Sequence, residues 1–77
     1  MLIMNALSRS FGAQRVLNFI LAGPNRRRTL DDLTNEFIQS KQMALTDLMN
    51  ALYELFDELP SPIKLNWHNG GNSYAAL

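Results

Sequence analysis

The 77-residue sequence predicts a mainly α domain closed by a small β-hairpin, an α+β fold, and three observations carry that prediction. Two long segments, 10–22 and 40–59, place apolar residues at helical spacing. A shorter segment, 29–38, does the same behind a polar residue suited to cap a helix. The chain then switches to a period of two at Ile63, Leu65 and Trp67, followed by a turn-forming run, His68-Asn69-Gly70-Gly71-Asn72. One domain and one small core fit this length.

The opening 1–9 is an apolar lead-in whose period is too short to read. It can begin the first helix, pair as an edge strand or pack on a second copy. The first helix, 10–22, buries Ala13, Val16, Leu17, Ile20 and Leu21, with Phe19 beside them. Ser10 is its N-cap, and Ala22-Gly23-Pro24 ends it because proline cannot continue the hydrogen-bond ladder. Asn25 and the three arginines after it read as a polar connector. Thr29 caps the second helix, 29–38, with Asp32 standing where a capping box usually has Glu or Gln. Leu30, Leu33 and Phe37 make its stripe.

Ser40 caps the third helix, 40–59, on which Leu45, Leu48, Met49, Leu52, Leu55, Phe56 and Leu59 form the widest apolar face in the chain. Pro60-Ser61-Pro62 stops it. The hairpin occupies 63–77, with Trp67 packed into the core beside Ile63 and Leu65.

Composition narrows the function classes. Hydrophobic residues are 47% and charged residues 18%, which suits a folded domain. Cysteine is absent, which removes disulfides and thiolate metal sites and suits a cytoplasmic protein. No basic region precedes the apolar opening and no run approaches a membrane span, so a soluble protein with no membrane partner is expected. No enzyme is expected: there is one histidine, no cysteine nucleophile, and the Gly70-Gly71 pair lies between strands, not before a helix. No cofactor and no metal are expected, since Glu54, Glu58 and His68 offer only a weak ligand set. The small core makes a homodimer the expected state.

Seven basic residues balance seven acidic ones, so the distribution of charge has to decide. Arg26, Arg27 and Arg28 are the one concentration of positive charge. They sit before a helix N-terminus, where they oppose the macrodipole, so helix stability does not explain them. Either they hold phosphate or Asp31 and Asp32 neutralise them on the surface. On the third helix Gln42, Thr46 and Asn50 carry groups that pair with base edges, whereas Asp47, Glu54 and Asp57 make its outer side acidic. The plain alternative is a solvated helix face. Tyr53 belongs at the edge of the apolar stripe.

The order helix, short helix opened by Thr29-Leu30-Asp31-Asp32-Leu33, turn, longer helix, hairpin resembles the winged helix-turn-helix superfamily over 10–77. The resemblance implies a three-helix winged helix-turn-helix with the C-terminal hairpin as its wing. It further implies a regulator of transcription bound to double-stranded DNA, with the early residues of the third helix in the major groove. Under it, Gln42, Thr46 and Asn50 contact bases, and Arg26, Arg27, Arg28, Lys41, Lys64 and His68 contact phosphates. The alternative is a winged-helix interaction module without DNA, whose acidic face of Asp47, Glu54 and Asp57 binds a basic protein. The chain has Leu59-Pro60-Ser61-Pro62 where that family often has glycine, and its third helix is acidic.

Overall fold

The computed structural model of the chain describes residues 9–68 and 71–77, with the backbone alone for Trp67 and His68. The expectations for the lead-in before Arg9, the hairpin tip, and the side chains of Trp67 and His68 therefore lie outside the described residues. Three helices and a three-stranded antiparallel sheet follow one another as α1 (Phe11–Leu21), β1 (Arg27–Thr29), α2 (Leu30–Leu33), α3 (Leu45–Asp57), β2 (Ile63–His68) and β3 (Gly71–Ala76). A π-helical turn, Thr34–Ile38, continues α2. The sheet order is β1-β3-β2, so the last strand lies in the middle.

The first two helix starts are legible in the sequence because their chemistry is local. Ser10 Oγ accepts the Ala13 N–H at 3.1 Å, capping α1 as expected. At α2 the capping box is complete: Thr29 Oγ1 accepts from the Asp32 N–H, and the Asp32 carboxylate accepts from the Thr29 N–H, both at 3.0 Å. The shorter Asp reaches back because both residues lie in the first turn. Gly23 lies between α1 and β1, and a Cβ there would come within 2.5 Å of the Arg27 carbonyl oxygen. Only glycine fits that approach.

The connector 25–28 is corrected. Arg27, Arg28 and Thr29 form strand β1, pairing with Ala75, Tyr74 and Ser73 of β3. The chain enters it through a tight 3-10 turn, Pro24–Arg26, in which Asn25 and Arg26 take positive φ.

The third helix is also shorter than 40–59. Ser40 does not cap it; its hydroxyl donates to the Glu36 carbonyl at the end of the second helix. The segment after that helix closes as a Schellman motif. The Lys41 N–H donates to Ile38 O and the Gln42 N–H to Phe37 O, both at 2.9 Å, with Lys41 at φ 62°. Glycine usually holds that left-handed position, so a lysine there gave no sign of a helix end. Lys41→Gly is expected to raise stability by about 1 kcal/mol in urea titration, since the left-handed conformation strains a side chain and not glycine. A loss of stability would contradict this reading of the turn.

The core gathers Ala13, Val16, Leu17 and Ile20 of α1, Leu33 and Phe37, and Leu48, Ala51, Leu52 and Leu55 of α3, under Ile63 and Tyr74 of the sheet. Phe19 meets Phe37 edge-to-face at 5.5 Å, and Phe56 meets Tyr74 at 6.1 Å. Burial pushes the ionisation of the Tyr74 hydroxyl up from its ordinary value. Two members of the expected stripe fall outside this core. Leu45, in the first turn of α3, is 54% exposed, and Leu59, beyond its end, is 96% exposed. Leu21 and Leu30 are likewise at the surface, and Leu65 is exposed on the edge strand β2. The stripe ends where the helix ends.

Candidate functional site

With Leu48, Ala51, Leu52 and Leu55 turned into the core, helical geometry fixes what α3 shows to solvent. Thr46, Asn50, Tyr53 and Asp57 recur three and four residues apart on the opposite side, and all four are exposed. The side chains of Thr46, Asn50 and Tyr53 hydrogen-bond to no other group among the described residues. Sequence reasoning placed Tyr53 at the stripe edge; it is 61% exposed and stands on the outward face. Centring the stripe on Leu48 to Leu55, without Leu45 and Leu59, would have found it.

Gln42 is not on this face. It lies in the turn before α3, and its amide donates to Glu36 O and Ser40 Oγ, both at 2.9 Å. That side chain fastens the end of the second helix. Lys41 is exposed in the same turn.

One flank of α3 faces the start of α1. The Arg9 guanidinium holds Glu58 in two bonds, Nε to Oε2 at 2.6 Å and Nη2 to Oε1 at 2.9 Å. The hydrogen bond to Glu58 raises the Arg9 pKa further above its ordinary value. Glu54 Oε2 accepts the Ser10 N–H at 2.7 Å, complementing the positive end of α1. Of the acidic side chains expected as a protein-binding face, Glu54 is thus half-buried and engaged, while Asp47 and Asp57 remain exposed.

The arginines are spread by the fold, not gathered. Arg28 donates from Nε to the Phe19 carbonyl at 2.9 Å, and its guanidinium lies 3.8 Å from the Phe19 ring centre. Arg26 reaches the Leu77 carbonyl at 3.2 Å. Arg27 is half-buried on β1. Neighbours on a strand point to opposite faces, so Arg27 and Arg28 cannot serve one phosphate together. Arg15 lies 5.6 Å from the Phe11 ring centre and 5.7 Å from that of Phe37. Lys64 is exposed on β2, opposite Ala75.

Between the N-terminal half of α1 and the face of α3 from Asp47 to Glu54 runs an open groove of about 360 Å³, with Phe11, Gly12 and Arg15 on one side and Asp47, Asn50 and Glu54 on the other. No local signal could have announced it, since it exists only where two helices meet. Among the described residues no group of three or more His, Cys, Asp or Glu side chains is placed to hold a metal ion, and no helix is long and apolar enough to cross a membrane. No family model matches the chain, and no curated protein or solved structure matches it.

Proposed function

We propose that this chain is a winged-helix domain that binds double-stranded DNA with the outward face of α3 and acts as a transcriptional regulator. The observation that carries the reading is that face: Thr46, Asn50 and Tyr53 project from a helix anchored on its other side, and the fold uses none of their polar groups. Support comes from the element order and from the β1-β3-β2 sheet, which are compatible with a winged-helix arrangement, with β2 and β3 following α3.

In this reading Asn50 pairs with an adenine edge, Thr46 meets a thymine methyl, and Tyr53 lies against the sugar-phosphate wall. Ala44, at the cap position before α3, offers no side-chain acceptor, so the first amides of the helix are open to a phosphate. Lys41, Lys64 and Arg26 supply the cationic contacts, in place of a block of three arginines. Asp57 lies at the far end of the helix, away from the groove floor.

About three phosphate contacts predict a log–log salt slope of about −3 per protomer, shallow for a DNA-binding protein. Fluorescence anisotropy against a random duplex pool between 25 and 200 mM salt (about an eightfold range, over which roughly 500-fold of affinity would be lost) measures it. No affinity for any duplex at the lowest salt would overturn the proposal. That result would favour the interaction-module alternative, for which exposed Asp47 and Asp57 on the same helix speak.

A further inference from the structure

We propose that the groove between α1 and α3 docks an arginine-bearing segment of a partner protein, and that the docked segment excludes DNA from Asn50. The first clause stands on the groove; the second rests on the DNA-binding reading. Charge chooses the occupant. Asp47 has no hydrogen-bond or ion-pair partner among the described residues, and Glu54 spends one carboxylate oxygen on Ser10 and keeps the other. Arg15, the cation of the lining, is held over the Phe11 and Phe37 rings and pairs with neither carboxylate. Two carboxylates against one guanidinium leave the groove negative by one charge. Such a lining attracts cationic side chains.

Shape and surface favour arginine over lysine. Phe11 is 79% exposed and its ring already attracts one guanidinium, that of Arg15 at 5.6 Å, and Met43 in the same lining is a pliable apolar rest for an aliphatic stem. Gly12 and Ala51 keep the floor low; a Cβ at Gly12 would touch nothing within 4 Å. The volume, about 360 Å³, admits one or two long side chains and no helix. Asp47 and Glu54 lie seven residues apart on α3, about 10 Å along its axis. In a polyproline II segment, side chains three residues apart share a face at about 9 Å. An Arg-x-x-Arg segment in that conformation therefore spans both carboxylates. Because Asn50 lines the groove and also belongs to the outward face, the segment and a duplex cannot both occupy it.

The test uses the full chain, ¹⁵N-labelled, titrated with the peptide acetyl-Arg-Pro-Pro-Arg-amide and followed by amide shifts. Saturable shifts confined to Gly12, Arg15, Asp47, Asn50 and Ala51 are expected. Asp47→Asn should weaken binding about fivefold, the loss of one exposed ion pair, while Asp31→Asn, on α2 and outside the groove, should leave it unchanged. Shifts spread over the surface, insensitivity to Asp47→Asn, or equal binding of spermine or of the Glu-Pro-Pro-Glu peptide would overturn the docking site. The exclusion is read separately, by loss of duplex anisotropy on adding the arginine peptide. A ternary complex would overturn that clause alone, and an absence of duplex binding would remove its premise without touching the shifts.

Discussion

Leu55→Ala is expected to destabilise the domain by about 2–5 kcal/mol, the usual cost of emptying a fully buried leucine site. Leu55 has no solvent exposure and lies in the cluster that joins α1, the second helix and the sheet to α3. A chain of this length has roughly 4–12 kcal/mol in all, so the variant stands close to unfolding at room temperature. Leu59→Ala is the matched control. Both leucines belong to one periodic stripe in the sequence, yet Leu59 lies past the end of α3 and almost wholly in solvent. Its removal should shift stability by less than about 0.5 kcal/mol. Urea titration of the two variants measures the difference. Equal losses would show that the helix runs on to Leu59 and that its end at Asp57 is misplaced.

Asn50→Ala is expected to reduce specific DNA affinity by about 1–3 kcal/mol, roughly 5- to 150-fold, if its amide makes the bidentate adenine contact assigned to it. Stability should be unchanged or slightly raised, because Asn50 is exposed, bonds to nothing else described, and alanine is the better helix former. Selection of a preferred duplex from a random pool, followed by anisotropy on that duplex and a scrambled one, provides the reading. The control is Gln42→Ala. Its amide ties the end of the second helix, so it should cost some stability and leave discrimination between the two duplexes intact. If Gln42→Ala relaxes specificity while Asn50→Ala does not, the recognition face has been assigned to the wrong turn of chain.

These two residues show why half of the candidate site was readable in advance. Thr46 and Asn50 sit on a helix whose buried side is marked by its own leucines, and periodicity alone sends them outward. Gln42 carries the same kind of side-chain amide as Asn50, in the turn before the helix. Its fate depends on Lys41 taking a left-handed conformation that sequence rules reserve for glycine. The arginines failed to group for a related reason. Successive residues in a loop share a neighbourhood, but Arg27 and Arg28 alternate on a strand, Arg26 stays in the turn before it, and the partner that makes 27–29 a strand is at the other end of the chain.

The sequence by itself determined what depends on neighbours within a turn or two. That covers the Ser10 cap, the Thr29–Asp32 capping box, the apolar faces of α1 and α3, and the β2–β3 hairpin. Each follows from hydrogen bonds or periodicities spanning at most a few residues, which leave a local mark. Only the tertiary structure decided that 27–29 is a strand, that Glu54 and Glu58 serve the start of α1, and that Phe11 and Asp47 border one groove. Those depend on contacts between segments far apart in the chain, paired by packing and long-range hydrogen bonds whose partners no local pattern specifies.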